Sequence, residues 1–280
     1  MKLVRSVSEL RDALGELRAD GRTIGLVPTM GAFHDGHLAL MRAAHQSSDA
    51  VVVSLFVNPA QFGPEEDLDR YPRDEERDAE LALGAEVSVL FIPSLEEMYP
   101  PGFDTEVDPG RLATILEGAS RPGHFRGVAT VCTRLFALVQ PRHAYFGRKD
   151  AQQLVVIRRL VRDLDVDVEI VPVDTVREPD GLAMSSRNAY LNDAERKAAL
   201  CLHEALDLAL EMWTRGARDS DSFRSRMREL IESEELARID YVSIANPETL
   251  EEVDRIQGAV LVSMAVRIGK TRLIDNVTLG

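Results

Sequence analysis

Cysteine is scarce in this sequence of 280 residues: only Cys132 and Cys201 occur, each within an apolar, helix-like stretch. Two thiols in a chain of this length do not build a disulfide framework, so we expect a reducing compartment. Long apolar runs are also missing, since the longest, residues 50–57, is far too short to cross a bilayer. The first residues soon turn charged, which argues against a secretory signal. These absences predict a cytoplasmic protein without a membrane segment.

Basic residues are outnumbered, with 33 Lys and Arg against 47 Asp and Glu and a formal net charge of −14. This balance argues against a general nucleic-acid binder, which needs a basic face, and against adhesion to an anionic membrane. A local basic pocket can still bind a small anionic substrate. Hydrophobic residues make up 45% of the chain, which is enough for a sizeable core, so disorder is not expected.

Strand-like and helix-like segments alternate through the first 180 residues. The predicted strands cover residues 23–29, 50–58, 87–92, 143–146 and 166–176. The predicted helices cover residues 37–46, 74–83, 128–139 and 151–163. This order predicts an α/β fold, with a Rossmann-like, doubly wound parallel sheet that helices cover on both faces.

The pattern changes after about residue 180. Two charged helices are predicted at residues 193–215 and 220–235, followed by strands at 239–245, 259–268 and 271–274. A turn containing Gly269 joins the last two strands and favours a hairpin. We therefore predict two domains, residues 1–180 and a smaller α+β domain of residues 181–280, with the boundary in the loop 178–191.

A loop with two histidines follows the first predicted strand and opens a helix. Residues 28–37 read PTMGAFHDGH, in which Gly31 and Gly36 let the backbone turn tightly and approach a ligand. The start of a helix offers free N–H groups and a positive dipole end, which favour a phosphate. His34 and His37 share one face of the first turn, so both are able to donate to phosphate oxygens. The alternative is that one histidine caps the helix and the other is a surface residue.

A second candidate lies in the loop after the first domain's last strand, where residues 184–188 read MSSRN. Two hydroxyls and a guanidinium in succession are able to wrap a polyphosphate, and Arg187 is able to bind it through two hydrogen bonds. Taken alone, this segment is better explained as a polar surface loop. Together the two segments resemble the HIGH/KMSKS nucleotidyltransferase superfamily, whose members attack the α-phosphate of ATP and release pyrophosphate.

Within that superfamily the sequence resembles the pantothenate synthetase (pantoate–β-alanine ligase) family over most of its length. The resemblance is carried by VPTMGAFHDGH (27–37), LFVNPAQF (55–62), YPR (71–73), LEGASRPGHFRGV (116–128), YFGRKDAQQL (145–154), MSSRNAYL (184–191) and RLIDN (272–276). Three positions depart from the family form: Phe33 replaces a common leucine, Ala60 a methionine and Arg148 a glutamate. They flank the polar positions and bear on the shape of the pocket.

The resemblance implies a role for particular residues. The implied catalytic residues are His37 as proton donor, His34 beside it, and Lys149, which neutralises phosphate charge. The implied ATP-binding residues are Met30, Gly31, Ala32, Phe33, His34, Asp35, Gly36, His37, Gly147, Arg148, Lys149, Asp150, Val176, Met184, Ser185, Ser186 and Arg187. Gln61 and Gln153 resemble the pair that binds pantoate, because neutral amides suit its hydroxyls. Without the motifs, a solvated lysine and surface amides are the simpler interpretation.

Other residues receive weaker expectations from the same resemblance. Asn58 and Tyr71 are expected to shape the site, and Asp150 to hold the ribose or contribute to metal binding. Arg121 and His124 are expected to be loop or dimer elements. No Cys/His cluster has zinc-like spacing, and no protein metal site is expected. The implied metal is Mg²⁺ on the ATP phosphates, held mostly by substrate and water.

The implied reaction joins pantoate to β-alanine through a pantoyl adenylate, releasing pyrophosphate and AMP. The MSSR loop and the C-terminal domain are the expected lid, and a homodimer carries over from the family. Two alternatives remain. One is an adenylyltransferase of the same superfamily that leaves AMP on another small molecule, and the other is a non-catalytic nucleotide-binding module.

Overall fold

The computed structural model describes residues 1–64 and 66–280 of the chain. These residues form two compact units: Met1–Arg148 with Val156–Asp174, and Lys149–Val155 with Thr175–Gly280. The predicted domain division at residue 180 stays a prediction.

The first unit is built on a six-stranded sheet in the order β1-β4-β3-β2-β5-β6. Its strands are β1 (Lys2–Val4), β2 (Ile24–Thr29), β3 (Ala50–Leu55), β4 (Val89–Phe91), β5 (His143–Gly147) and β6 (Glu169–Val173). Every neighbouring pair is parallel. The central strands β2 and β3 are almost wholly buried, which explains their continuous apolar sequences.

Helices connect the strands of this unit. They are α1 (Val7–Ala19), α2 (Asp35–Ser47), α3 (Glu75–Gly84), α4 (Leu95–Met98), α5 (Glu117–Ser120), α6 (His124–Val139) and α7 (Ala151–Asp163). The residues of α7 up to Val155 belong to the second unit. Crossovers of this kind are required because parallel strands cannot be joined by a tight turn. The predicted α/β fold with a doubly wound parallel sheet is confirmed.

The strand order reverses between β2 and β5. From β2 the chain builds β3 and then β4 on one side, and it returns to place β5 and β6 on the other. In open α/β sheets, ligands bind in the crevice at the carboxyl ends of the strands where the order reverses. The segment that starts at Met30 and the one that starts at Arg148 leave β2 and β5 at these ends.

The second unit contains a three-stranded antiparallel sheet in the order β7-β8-β9. Its strands are β7 (Ala237–Ala245), β8 (Val260–Ile268) and β9 (Thr271–Leu279), and its helices are α8 (Asp193–Ala198), α9 (Leu200–Thr214) and α10 (Ser220–Glu232). The helices and the sheet share an apolar core that includes Leu202, Phe223 and Met264. The hairpin predicted around Gly269 is confirmed, and so is the small α+β character of this region.

Several sequence expectations about elements need correction, including the strand predicted at 166–176, which covers only Glu169–Val173, and the strand predicted at 271–274, which extends to Leu279. β3 ends at Leu55, three residues before the predicted end. The chain leaves the sheet there because Asn58 caps a 3₁₀ turn at Pro59–Gln61, and a proline has no N–H to donate to a neighbouring strand. The helix predicted at 193–215 is two helices, since the chain tightens at Ala199, whose carbonyl accepts from Leu202 N–H three residues on. The edge strand β1 and the helices α1, α4 and α5 were not predicted.

Both cysteines are buried and free, and burial raises the pKa of each thiol to about 12. They are therefore packing residues in α6 and α9. Among the described residues, no helix has both the length and the apolar character needed to cross a membrane.

Candidate active site

The loop between β2 and α2 positions the two histidines through a reciprocal cap. His34 is the N-cap of α2, and its Nδ1 accepts from Gly36 N–H at 3.1 Å. His37 Nδ1 accepts from His34 N–H at 3.3 Å, and the two ring centroids lie 4.2 Å apart. Because each Nδ1 is an acceptor, the neutral rings carry their proton on Nε2. The cap thus leaves both imidazoles as Nε2–H donors at the start of a helix.

The capping alternative is therefore correct, and it also serves the functional hypothesis. Gly36 makes the cap possible, because a Cβ at this position would lie 2.9 Å from His34 Nδ1 and displace the ring. The alternative of a surface residue is wrong for His37, which is half-buried and packs its ring 5.4 Å from that of Phe33.

A buried carboxylate in α3 holds the backbone of the same loop. Asp78 is 1% exposed, and its two carboxylate oxygens accept from Ala32 N–H and Phe33 N–H, both at 2.7 Å. Burial raises the pKa of Asp78 above its ordinary value, while the two N–H groups act in the opposite direction. Gly31 has φ +84°, and a Cβ there would lie 2.9 Å from Asp78 Oδ2. The helix α3 therefore fixes the turn that leads into His34.

Gln61 lies close to the same loop, in the 3₁₀ turn after β3. It is 7% exposed, and its Nε2 lies 3.0 Å from Met30 Sδ. Asn58, which is 1% exposed, donates to Gln61 Oε1 at 3.2 Å and accepts from the Tyr99 hydroxyl at 2.9 Å. The structure thus brings together two predicted residues, Met30 and Gln61, and places Asn58 in contact with Gln61.

A second network holds the backbone of Gln61. His124 Nδ1 lies 2.8 Å from Gln61 O, and Arg121 Nη1 lies 3.0 Å from His124 Nε2. Since a guanidinium only donates, Nε2 accepts and Nδ1–H donates to the carbonyl. Arg121 also forms a largely buried ion pair with Glu66 at 2.7 Å. His124 is therefore buried against the candidate site, and the expected loop or dimer role of Arg121 and His124 stays a prediction.

The buried histidine makes stability depend on pH. Burial and the Arg121 charge lower the pKa of His124 to about 4, against 6.5 for a free imidazole. Between these values the unfolded chain binds the extra proton, so the free energy of unfolding falls as the pH drops. We expect His124 to account for a loss of about 2 kcal/mol between pH 7 and pH 5.

Urea unfolding of the wild type and of His124→Asn at both pH values measures this contribution. The asparagine amide keeps a donor toward Gln61 O but does not titrate. The variant should lose less stability than the wild type on acidification. Equal losses in the two proteins would contradict the assignment.

The second unit contains the remaining predicted segments. Lys149 and Asp150 belong to a 3₁₀ turn, Arg148–Asp150, that directly follows β5, and Lys149 Nζ lies 4.0 Å from Asp150 Oδ1. Gln153 lies in the first turn of α7. Val176 O accepts from Met184 N–H at 2.9 Å, so these two predicted residues are paired through the backbone.

The loop with two serines is anchored at both of its ends. Ser185 caps a 3₁₀ turn, Ser186–Tyr190, and its Oγ accepts from Arg187 N–H at 3.3 Å. Asn188 Nδ2 donates to Glu178 Oε1 at 2.8 Å and to Ala183 O at 3.1 Å. The segment is therefore a structured loop. Its action on the same triphosphate as the two histidines stays a prediction.

The three positions that depart from the family form differ in their surroundings. Phe33 is 1% exposed and packs within the core of the first unit, whereas Ala60 is exposed. Arg148 pairs with Asp174 at 2.9 Å in an exposed ion pair. Phe33 packs its ring 5.4 Å from that of His37, and Ala60 N–H donates to Asn58 Oδ1 at 3.3 Å.

A cavity of about 630 Å³ lies at the amino ends of the first sheet's strands, opposite to their carboxyl ends. It is lined at the amino ends of β2 and β6 by residues such as Arg18, Thr23 and Val168, and it contains none of the predicted site residues. No cluster of three or more His, Cys, Asp or Glu able to hold a metal occurs within residues 1–64 and 66–280.

Comparison with known proteins gives one consistent result. The chain matches the family model for pantoate-beta-alanine ligase over residues 2–278. It is 54% identical over 280 residues to the pantothenate synthetase of Pelotomaculum thermopropionicum, covering 100% of this chain and 99% of that protein.

Solved structures agree with this result. The crystal structure of pantothenate synthetase from Thermus thermophilus superposes with a TM-score of 0.93 at 49% identity, covering 99% of each chain. Pantoate-beta-alanine ligase from Francisella tularensis, complexed with beta-gamma ATP and beta-alanine, superposes with a TM-score of 0.82 at 33% identity, covering 99% of this chain and 97% of that one. The chain belongs to the pantoate-beta-alanine ligase family.

Proposed function

We propose that this chain condenses pantoate with β-alanine to give pantothenate, consuming ATP and releasing AMP and pyrophosphate. In the first step a carboxylate oxygen of pantoate attacks the α-phosphorus of ATP, and the bond from that phosphorus to the bridging oxygen breaks. In the second step the β-alanine amine attacks the acyl carbon, loses a proton and displaces AMP. The protein contributes positioning and charge stabilisation to both steps.

The observation that supports this function most strongly is the reciprocal histidine cap at the start of α2. Each ring accepts through Nδ1 and carries its proton on Nε2. Negative charge grows on the leaving pyrophosphate as the phosphorus–oxygen bond breaks. Fixed donors aimed at developing charge lower the barrier without reorganising during the reaction. We assign His34 and His37 to this role.

Gln61 is our candidate for pantoate recognition. Its amide both donates and accepts, which suits a substrate with two hydroxyls and a carboxylate. The surrounding bonds from Asn58 and His124 hold both its side chain and its backbone. A residue fixed in this way loses little conformational entropy when substrate binds. Gln153 is proposed as its partner.

The second unit is proposed to supply the other groups that bind ATP. Lys149 provides a compact positive charge for the phosphates, and Ser185, Ser186 and Arg187 provide donors for the same oxygens. Val176 is assigned to adenine through its backbone, and Gly147 and Asp150 to the ribose. The lid role of the C-terminal domain remains a prediction.

Mg²⁺ is proposed to enter with ATP as part of the substrate, held by phosphate oxygens and water, with Asp150 as a contributing carboxylate. A homodimer is proposed from the family resemblance, and light scattering on the purified protein tests it. The cytoplasmic location that the scarcity of cysteine predicts is part of the same proposal.

Exchange of labelled pyrophosphate into ATP tests the reaction with β-alanine absent. We expect exchange that depends on pantoate. Without β-alanine only the first step takes place, and its reversal returns labelled pyrophosphate to ATP. Exchange with a different acid in place of pantoate would favour another adenylyltransferase. Binding of ATP without exchange for any acid would favour a non-catalytic module.

Asp78→Asn is expected to lower this exchange about tenfold, because an amide oxygen accepts only one of the two backbone N–H groups. The other N–H is left buried without an acceptor, so the melting temperature should also fall, and exchange is compared at a temperature at which the variant stays folded. Asp49→Asn is the matched control: this carboxylate also accepts a backbone N–H, from Thr23 at 2.9 Å, at the amino end of β2. Equal losses in the two variants would rule out a specific role for Asp78.

A further inference from the structure

The segment RLIDN near the end of the sequence has no assigned role in the reaction. Its last two residues, Asp275 and Asn276, lie next to each other on β9, an edge strand of the second unit's sheet. Asp275 is 2% exposed although it carries a carboxylate, and Asn276 is half-buried. A buried carboxylate requires a partner, and a buried amide requires acceptors and donors. The identity of these partners indicates what the pair does.

Asp275 binds the base of the loop that carries the two serines. Its oxygens accept from Arg177 Nη1 at 2.6 Å and Nη2 at 3.0 Å, which is a bidentate pair. Arg177 Nη1 also donates to Gly181 O at 3.0 Å, and the Arg177 backbone is bridged to Ala183. Met184 follows directly, so Asp275 fixes the strand-like stem from which Ser185 and Arg187 extend.

Asn276 binds the other ATP-binding segment of the same unit. Its Nδ2 donates to Lys149 O at 2.8 Å across 127 positions of sequence. Asp275 Oδ1 in addition accepts from the backbone N–H of Asn276 at 2.8 Å, which links the Asp275 side chain to the Asn276 main chain. Two adjacent residues therefore hold the Lys149 main chain and the stem of the serine loop to one strand.

We propose that Asp275 and Asn276 are positioning residues that hold Lys149 and the Ser185–Arg187 loop in the positions from which they bind ATP. Neither acts on the substrate directly, and each works through the segment that it binds. The rigidity comes from β9, whose backbone is paired with β8 along its whole length. This inference rests on the proposed function.

Asn276→Ala tests the arm that acts through Lys149. We expect a loss of roughly threefold to tenfold in pantoate-dependent pyrophosphate exchange, which is the effect of one hydrogen bond. The decisive measurement is the same substitution in a Lys149→Ala background, where no further loss is expected. A purely structural role would lower exchange by the same factor in both backgrounds, and that additivity would overturn the proposal.

Arg177→Lys tests the arm that acts through the loop. The alternative change, Asp275→Asn, breaks the ion pair at its buried member and is prone to unfold the protein. The lysine keeps the charge and gives up the bidentate geometry. We expect the KM for ATP to rise several-fold while the melting temperature stays near that of the wild type. An unchanged KM in a folded protein would overturn this arm.

Asp240→Asn is the matched control. Asp240 on β7 pairs with Arg272 of β9 at 2.6 Å, so it is a carboxylate–arginine pair on the same sheet. We expect it to change the melting temperature and to leave exchange and the KM for ATP unchanged. A loss of exchange equal to that of Asn276→Ala would overturn the proposal.

Absence of exchange in the wild type itself would overturn the proposed function and this inference together. Additive losses with an active wild type would overturn only the inference.

Discussion

Lys149→Ala is expected to slow pantoate-dependent pyrophosphate exchange by about 10²- to 10³-fold, the range for removing one group that stabilises developing charge. The Lys149 side chain is 19% exposed, and its Nζ lies 4.0 Å from Asp150 Oδ1, beyond hydrogen-bond distance. Most of its charge is therefore available to a ligand. Alanine removes that charge and leaves the Lys149 carbonyl, so the bond from Asn276 is retained.

The control for this variant is Lys197→Ala, which removes an exposed lysine from α8 in the same unit. We expect Lys197→Ala to exchange at the wild-type rate. Circular dichroism should be close to wild type for both variants, and the melting temperature of Lys197→Ala should be unchanged because an exposed lysine contributes little to stability. Normal exchange by Lys149→Ala would remove the residue from the proposed mechanism.

Two substitutions of His37 separate its capping role from its role as a donor. In His37→Asn, the amide oxygen takes the place of Nδ1 and still accepts from His34 N–H, but the Nε2–H donor is lost. In His37→Gln, the longer amide reaches the position of Nε2 and restores a donor. We expect the asparagine variant to lose about 10²-fold in exchange and the glutamine variant to lose clearly less.

Rates and melting temperatures should be measured together for this series. His45→Asn is the control, because His45 is exposed near the other end of α2, where its Nε2 lies 3.0 Å from Ala85 O. It should leave exchange unchanged. If the asparagine variant exchanged pyrophosphate at the wild-type rate, His37 would be a capping residue only.

The alternation of strands and helices was predictable because strands buried on both faces need continuous apolar runs, which β2 and β3 have. The small edge strand β1 escaped prediction because it has only three residues and its partner, β4, begins at Val89. Its formation depends on a distant part of the chain rather than on its own pattern.

The candidate site was predictable where the chemistry is local. Gly36, His34 and His37 lie within four positions, so their spacing alone indicates a helix start able to donate to phosphate. The same spacing leaves open which nitrogen carries the proton, and the two backbone bonds to Nδ1 decide that.

Residues that support the site from a distance could not be identified in this way. Asp78 is one of several acids in a charged helix, and only its burial against Ala32 and Phe33 distinguishes it from the exposed Glu75 and Glu76. Its sequence neighbourhood favours a solvated face.

The sequence by itself determined the fold class, the family and the histidine loop, because apolar periodicity and short motifs act over a few residues. The tertiary structure alone decided which polar groups are desolvated together. His124 against Gln61 and Asn276 against Lys149 are pairs separated by 63 and 127 positions. Hydrogen bonds of this kind form only after the apolar core has brought the segments together, and no pattern along the chain records them.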